Sequence, residues 1–232
     1  MKKTVVVHQP DFLPHLGFFH KFLHSDLWVI LDNVQFLPGS KSWHNRDQIK
    51  TSQGARWLTV SVQRATLGTK INEILLSENT DWRTKNLNLL KTNYRKAPYF
   101  AEIMPAVKKL YSFETNKLSE FNINGVSVIL ELLGISIPSI KASQLSARGK
   151  SNELLVSILT KVGATHYLSG TGAKEYFDSE PYELAGIKVV WDKFIHPVYP
   201  QLFGQFIAGL SVIDMLFNCG IDKSRKIIRG DT

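Results

Sequence analysis

Residues 4–31 read TVVVHQPDFLPHLGFFHKFLHSDLWVIL, and their pattern predicts the fold class. Two strands are predicted, one by the β-branched run Thr4–Val7 and one by the continuous apolar run Leu27–Leu31. Between them, apolar residues recur at helical spacing from about Pro14 to His24. A strand, a helix and a strand in so short a stretch predict a βαβ unit, in which the two strands are parallel neighbours buried on both faces.

The same α/β alternation returns in the last third of the chain. Strands are predicted at Ser139–Ala142, Thr165–Leu168 and Ile187–Trp191. A last helix is expected to begin at Ser211 and to end at Cys219-Gly220. The basic tail that follows is interpreted as a solvated end.

The middle of the chain has a different pattern. Arg56–Gln63 alternates as a half-buried strand does, and Ile71–Leu76 is expected to return beside it as a hairpin. Helices are predicted over Asp81–Lys96, from about Ala97, and over Asn116–Leu133.

Together these elements predict an α/β protein with a mainly parallel, Rossmann-like sheet flanked by helices and an inserted β-hairpin plus helical region. We expect a single domain over residues 1–232. Its α/β core would come from about 1–40 and 135–232, and the insertion would lie at about 40–135.

Composition excludes several protein classes. The chain has 232 residues, of which 44% are hydrophobic and 21% charged, so it is not intrinsically disordered. The lone cysteine, Cys219, excludes an internal disulfide framework and a cysteine-based zinc site. No apolar run approaches the roughly 20 residues that span a bilayer, and the first apolar stretch is too short for a secretory signal. We therefore expect a cytoplasmic protein without a transmembrane segment.

The charge balance favours anionic partners. Lys and Arg number 28 against 20 Asp and Glu, which gives a formal net charge of +8. Phosphorylated small molecules, nucleic acid and acidic lipid surfaces all fit this excess, and the charge alone does not choose among them.

Polar residues follow the predicted strands directly. His8-Gln9 comes after the first strand, Asp32 and Gln35 after the second, and Ser169–Lys174 after the Thr165 strand. Because ligands of open parallel sheets bind beyond the carboxyl ends of the strands, these segments are expected to gather at one edge.

Each of these residues has a functional and a structural interpretation. His8 is either a general base or a strand-end histidine bonded to a carbonyl. Asp32 could orient His8, bind a ribose hydroxyl or cap a turn. The Ser169-Gly170 turn with Lys174 suits an anion but lacks the spacing of a Walker loop or a dinucleotide fingerprint, and it is otherwise a tight strand-to-helix turn. Lys21 either binds phosphate or is an ordinary surface lysine.

The long polar segment after Asp32 carries a second set of candidates. Asn45-Arg46 could fork around a phosphate or carboxylate. Trp43 could stack on a base or sugar, or anchor the loop. His20 and His24 have the i, i+4 spacing of metal ligands, but without a third ligand we interpret them as a solvated helix face and predict no metal site.

Motifs spread over nearly the whole chain carry a family resemblance. They are His8-Gln9-Pro10, Pro14, Gly17, Lys21, Asp26, Asp32, Val34, Gln35, Asn45-Arg46, Trp57–Val60, Trp82-Arg83, Tyr94, Ala97–Phe100, Tyr167–Gly170, His196-Pro197, Tyr199, Gln201, Gly204, Leu210-Ser211, Asp214 and Leu216–Gly220. Through them the chain resembles the WbqC-like family of bacterial surface-polysaccharide gene clusters.

The resemblance implies a role in O-antigen (lipopolysaccharide) or capsule biosynthesis, for which a glycine transferase has been suggested. A weaker likeness joins Pro14-His15-Leu16-Gly17 and the Ser169–Lys174 turn to the two nucleotide-binding signatures of nucleotidyltransferases. Phe18 stands where that signature has its second histidine.

The leading hypothesis is a transferase that attaches glycine or another aminoacyl group to a nucleotide-linked or lipid-linked sugar. His8 would be the base and Asp32 its orienting partner, while Arg46 and Lys174 would bind phosphate. The other candidate substrate-binding residues are Gln9, Lys21, Gln35, Trp43, Asn45, Ser169, Gly170, His196 and Gln201. The acyl donor would be free glycine with ATP, or a charged tRNA. The alternatives are a non-catalytic sugar-nucleotide-binding protein and a nucleotidyltransferase-like enzyme.

Overall fold

The computed structural model describes residues 1–38 and 43–231. Their contacts divide the chain into two compact units. The first, which we call the sheet unit, contains residues 1–9, 20–33 and 136–195. The second, which we call the helical unit, contains residues 10–19, 34–135 and 196–232. The prediction of a single domain with an inserted segment stays a prediction.

The elements of the two units are numbered in chain order. The strands are β1 (Thr4–His8), β2 (Leu27–Ile30), β3 (Arg46–Thr51), β4 (Gly54–Thr59), β5 (Ser139–Lys141), β6 (His166–Ser169) and β7 (Lys188–Trp191). The α-helices are α1 (Leu16–His20), α2 (Trp82–Tyr94), α3 (Phe100–Tyr111), α4 (Leu118–Leu133), α5 (Ser151–Lys161), α6 (Glu180–Leu184) and α7 (Val212–Arg229). Short 3₁₀ turns follow α1 at Lys21–His24 and β6 at Thr171–Tyr176.

The sheet unit is built on five parallel strands in the order β5-β2-β1-β6-β7. The chain therefore starts at the centre, moves outward through β2 and β5, and then crosses to the other side of β1. One face of the sheet packs against α5 and α6 through a buried apolar cluster that includes Val5, Ile158 and Tyr182. The predicted α/β class, with a mainly parallel sheet flanked by helices and an added antiparallel hairpin, is confirmed.

The hairpin of the helical unit differs from the predicted one. Strand β4 pairs antiparallel with β3, whereas Ile71–Glu73 forms a 3₁₀ turn. No strand is predicted at β3, because its sequence is rich in polar residues. Asp47 and Lys50 are nonetheless buried, so tertiary contacts override the polar pattern.

The last helix also departs from expectation. Gly220 adopts φ 73° and ψ 177°, which kinks α7, and the chain then continues as helix to Arg229. A Cβ atom at Gly220 would lie 2.4 Å from the ring of Tyr99, so both the backbone and the packing require glycine. The predicted solvated tail is wrong, because Ile227 and Ile228 are buried and hold that segment in place.

A buried polar network organises the helical unit. The hydroxyl of Tyr94 accepts a hydrogen bond from the Lys50 amide at 3.0 Å and donates one to Asp214 Oδ1 at 2.7 Å. Tyr199 donates to the other carboxylate oxygen at 3.0 Å. The Lys50 ammonium donates to the carbonyl of Gln205. These bonds tie β3, α2 and α7 together and satisfy charges that burial would otherwise penalise.

Replacing Tyr94 with Phe should therefore destabilise the protein by about 2 kcal/mol, because a buried amide and a buried carboxylate each lose a partner. Urea unfolding of the wild type and the variant measures the difference. Tyr176→Phe is the matched control, since that ring is 68% exposed and should change stability by less than about 0.5 kcal/mol. Equal losses in the two variants would contradict the assigned role of the network.

Candidate functional site

The carboxyl ends of the five parallel strands lie at one edge of the sheet unit. Strands β1 and β6 are direct neighbours, with Thr4 paired to His166 and Val5 to Tyr167. Following both strands to their ends brings His8 to the level of Gly170. Residues that are far apart in sequence thus meet at this edge, as expected for a parallel sheet.

The strand order reverses at this same position. From β1 the chain proceeds to β2 and β5 on one side, and only then to β6 and β7 on the other. In chain order this is the 3-2-1-4-5 arrangement of a doubly wound sheet, and the reversal falls between β1 and β6. Such switch points leave a crevice at the carboxyl ends of the two strands, where ligands of this architecture bind.

A buried lysine adds positive charge beside this reversal. Lys21 is only 6% exposed, and its Nζ lies 4.0 Å from the position that a Cβ atom on Gly170 would occupy. Ser169 is also buried. The ordinary surface-lysine interpretation of Lys21 is therefore wrong, and its ammonium group lies where an anion near the Ser169-Gly170 turn would benefit.

His8 is half-buried at the end of β1. Its Nδ1 lies 3.1 Å from the carbonyl oxygen of Gln9, while its own carbonyl accepts a hydrogen bond from the Trp28 indole at 3.3 Å. A neutral His8 that donates from Nδ1 to this carbonyl carries its lone pair on Nε2, which is the form that a general base needs.

Two other candidates of the sheet unit make structural contacts. Asp32 accepts hydrogen bonds from the amide and the hydroxyl of Ser143, at 2.9 and 2.7 Å, and so ties the end of β2 to the turn after β5. Lys174 is exposed, and its Nζ lies 5.5 Å from the ring centroid of Trp191. A role of Asp32 in orienting His8 and a role of Lys174 in binding phosphate remain predictions.

Sequence reasoning missed a histidine–aspartate pair at the same edge. His20 Nδ1 lies 3.0 Å from Asp192 Oδ1, and His20 Nε2 lies 3.3 Å from His24 Nε2. The Asp192 amide donates to the Ser169 carbonyl at 2.8 Å, which fixes the pair beside the Ser169-Gly170 turn. His20 is therefore not simply part of a solvated face. Burial lowers the pKa of His24, the neighbouring His20 lowers it further, and Asp192 opposes the shift.

The helical unit holds the remaining candidates, some of which are bound into the fold. Asn45 donates from its amide to the Val60 carbonyl at 3.0 Å. Gln201 uses both ends of its amide on the backbone of Ile207, with 2.9 Å for each bond. Gln35 lies in an isolated bridge with Lys70. These contacts stabilise loops.

Arg46 and Trp43 lie together on the hairpin of this unit. The Arg46 guanidinium carbon is 4.1 Å from the ring centroid of Trp57, and the Trp43 ring is 5.6 Å from the same indole. Trp43 is 44% exposed. The cluster thus joins a fixed cation to a partly exposed aromatic surface.

His196 lies in a different part of the helical unit. Its ring centroid lies 6.2 Å from that of Tyr199 and 5.9 Å from that of Phe206, and its Nδ1 is 3.0 Å from the Pro197 carbonyl oxygen. Burial lowers the pKa of His196, although the Pro197 carbonyl and Asp214 oppose the shift. This ring is therefore neutral at physiological pH.

Comparison with known proteins gives one family. The model of the WbqC-like protein family matches residues 9–226. The chain belongs to the WbqC-like protein family. A relative in Mycobacterium tuberculosis (strain ATCC 25618 / H37Rv), named Uncharacterized protein Rv1507c, is 34% identical over 225 residues, which cover 96% of each chain. No solved structure matches.

None of the helices within residues 1–38 and 43–231 combines the length and apolar character that crossing a bilayer requires. The same residues contain no group of three or more histidine, cysteine or acidic side chains that could hold a metal ion.

Two titratable side chains of this WbqC-like chain, His44 and Asp47, are buried, and they lie on either side of Arg46 in the sequence. Burial lowers the pKa of His44 to about 4, so its imidazole is neutral in the folded protein at physiological pH. Burial raises the pKa of Asp47 well above its usual value, and the nearby Asp11 raises it further, while the hydrogen bond from the Gln48 amide opposes the shift. Both side chains therefore favour their neutral forms in the folded protein.

Acid should destabilise the protein through His44. Its folded pKa lies below the unfolded value of about 6.5, so its stabilising contribution is complete above that value and is lost as the pH falls toward 4. The shift corresponds to roughly 3 kcal/mol. Asp47 and Asp214, whose pKa values are raised, change in the opposite sense, so the wild type must be compared with His44→Gln.

Urea unfolding between pH 4 and pH 7 measures this contribution. The difference in unfolding free energy between wild type and His44→Gln should shrink steadily as the pH falls. A difference that stays constant over this range would contradict a neutral, buried His44.

Proposed function

We propose that the chain is a transferase that binds a nucleotide-linked sugar at the β1/β6 switch point and attaches glycine or another aminoacyl group to it. One observation carries the proposal. The polar ends of β1 and β6, His8-Gln9 and Ser169-Gly170, are adjacent where the strand order reverses, and Lys21 adds a buried positive charge there.

The nucleotide part of the proposal rests on the chemistry of this edge. Gly170 has no side chain, so a phosphate oxygen can approach the backbone closely. Lys21 would supply a positive charge to the phosphate, although the turn lacks the spacing of a Walker loop. The formal net charge of +8 also favours an anionic substrate.

In the transfer step, His8 accepts one proton. The acceptor hydroxyl or amine forms a bond to the carbonyl carbon of an activated aminoacyl donor, such as an aminoacyl adenylate or a tRNA ester. The bond from that carbon to its leaving group breaks, and His8 Nε2 takes the proton that the acceptor loses. Asp32 would hold the neighbouring strand end in place through Ser143.

The finer elements of the proposal come from the family. The role in O-antigen biosynthesis, the glycyl group and a cytoplasmic location agree with the implied family role. The substrate contacts expected of Gln35, Trp43, Asn45, His196 and Gln201 belong to the same proposal. A lipid-linked sugar is the alternative acceptor.

A nucleotidyltransferase-like enzyme is the second candidate. The 3-2-1-4-5 strand order and the small-residue turn after β6 favour it. Nucleotidyl transfer would release pyrophosphate from a nucleoside triphosphate. Aminoacyl transfer would increase the mass of the sugar by one glycyl group. A non-catalytic sugar-nucleotide-binding protein would give neither product.

Nucleotide binding can be tested at Gly170 without disturbing the fold. Gly170 has φ −71° and ψ 149°, which any residue adopts, and the nearest atom to an added Cβ is Lys21 Nζ at 4.0 Å. Gly170→Ala should weaken the binding of UDP and dTDP at least tenfold, measured by isothermal titration calorimetry. Gly172→Ala is the matched control, because nothing lies within 4 Å of its added Cβ.

Equal affinity in the two alanine variants would contradict contact of the nucleotide with the β6 turn. Failure of the wild type to bind UDP, dTDP or ATP at all would remove the nucleotide site itself.

Catalysis can be tested at His8. Incubation with UDP- or dTDP-amino sugars, glycine and ATP should produce a glycylated sugar detectable by mass spectrometry. His8→Gln should lower its rate by roughly 10²–10⁴-fold and remove the acidic limb of the pH–rate profile, while nucleotide affinity stays the same. His166→Gln is the control, because that half-buried histidine lies at the opposite end of β6.

An unchanged rate and pH profile in His8→Gln would remove the base assignment. Transfer of a nucleotidyl group to the sugar substrate, with release of pyrophosphate and without glycylation, would favour the nucleotidyltransferase reaction.

A further inference from the structure

A cavity opens in the helical unit where the start of α3 faces the second half of α7, and we call it the α3–α7 cavity. Its volume is about 640 Å³, and its lining includes Tyr99 and Glu102 from the start of α3 and Cys219, Ile221, Lys223 and Lys226 from α7. Small-molecule sites occupy roughly 300–1,000 Å³, so the space is sufficient for a ligand.

The walls of the α3–α7 cavity are fixed to each other. The Tyr99 amide donates to the Phe217 carbonyl at 3.1 Å, and the Tyr99 ring packs against Gly220 at the kink of α7. Directly after the kink, the Ile221 amide donates to Glu102 Oε1 at 3.3 Å. The cavity is therefore formed before any ligand enters, which reduces the entropic cost of binding.

Apolar side chains line part of the cavity. Tyr99 leaves 39% of its surface exposed and Ile221 is half-buried, while Cys219 and Ile227 are buried. Burial raises the pKa of the Cys219 thiol to about 11, so this group is uncharged at physiological pH. Because the two isoleucines and a neutral thiol offer no strong hydrogen bonds, a hydrocarbon chain matches this part better than a sugar or a base does.

Two lysines add positive charge to the cavity. Lys223 and Lys226 lie three residues apart on α7, so they share one face of the helix. Neither ammonium group forms an ion pair or a hydrogen bond with any residue that the structure describes. Arg225, which lies between them in the sequence, is used by the fold, since its Nε donates to the Leu132 carbonyl at 2.9 Å.

The carboxylates of the lining do not engage these lysines. Glu102 accepts a backbone amide, and Asp222 Oδ1 lies 4.0 Å from Arg225 Nη1. Within the described part of the chain, Asp231 makes no ion pair with either lysine. The ammonium donors of both lysines are therefore available to an anionic head group, which the chain's formal net charge of +8 also favours.

We infer that the α3–α7 cavity binds a small anionic amphiphile, with its hydrocarbon part against Tyr99 and Ile221 and its carboxylate or phosphate head at Lys223 and Lys226. Fatty acids and lipid phosphates share this chemistry. The site belongs to the helical unit and uses none of the residues assigned to the nucleotide, so it goes beyond the proposed function.

Isothermal titration with sodium decanoate and with monodecyl phosphate, each below its micellar concentration and at constant ionic strength, tests the inference. We expect the wild type to bind at least one of the two amphiphiles saturably. Acetate and inorganic phosphate carry the same head groups without the chain, so they should bind at least tenfold more weakly.

The double variant Lys223→Gln/Lys226→Gln should bind the amphiphile at least tenfold more weakly, because it keeps the cavity and loses both charges. Lys108→Gln/Lys109→Gln is the matched control, since these exposed lysines of α3 do not line the cavity and their loss changes the net charge equally. The affinity of the control should stay within about twofold of the wild type.

A measurement on the wild type alone guards against a variant that does not fold. The methyl signals of Ile221 and Ile227 in ¹H–¹³C spectra should shift in step with the titration, while that of Ile140 in the sheet unit should not. A stronger response to decanoate would assign a carboxylate head, and a stronger response to decyl phosphate would assign a phosphate head.

Three results would overturn the inference. One is the absence of saturable binding and of shifts at Ile221 and Ile227 with both amphiphiles. Another is equal affinity of the two folded double variants. The third is equally strong binding of acetate or inorganic phosphate, which would leave a simple anion site. Neither amphiphile contains a nucleoside, so failure here would leave the nucleotide proposal untouched.

Discussion

Parallel pairing on both sides of β1 is the constraint on which the candidate chemistry of the sheet unit depends. β1 bonds to β2 on one side and to β6 on the other, and both pairs run in the same direction. The ends of all three strands must therefore lie at one edge, however far apart they are in sequence. Because β5 and β6 lie on opposite sides of β1, the connection between them crosses β1, and the switch point follows from that crossing.

Hydrogen bonds within the fold account for some of the polar candidates and not for others. Asp32 and Gln201 were both candidates on residue type, yet each uses its side-chain atoms on neighbouring backbone or hydroxyl groups. Arg46 does not saturate its Nε and Nη2 within the described residues. Because an unmade bond at a buried charge is more costly than a made bond is favourable, the unsatisfied group is the more informative one.

The local sequence pattern was sufficient to predict the parallel strands. It was not sufficient to predict features that depend on contacts between residues far apart in the chain. The apolar runs of β1 and β2 indicate burial directly, and helix α4 ends at Leu133, where the sequence pattern predicts its end. Strand β3 was not predicted, because the burial of Lys50 depends on carbonyl groups about 150 residues away in the sequence. The His20–Asp192 contact spans a similar distance, so no spacing rule could reveal it.

Three histidines, His8, His20 and His24, lie near the same sheet edge. Their hydrogen bonds indicate which of them is the better base. In the His20–His24 contact the two Nε2 atoms face each other at 3.3 Å, so a single proton must lie between them. A neutral His20 that donates from Nδ1 to Asp192 therefore has its Nε2 lone pair engaged by His24. His8 has Nδ1 beside a backbone carbonyl, which favours the tautomer with a basic Nε2. His8 is therefore the base in the proposed transfer, and His20 and His24 are assigned no proton-transfer step.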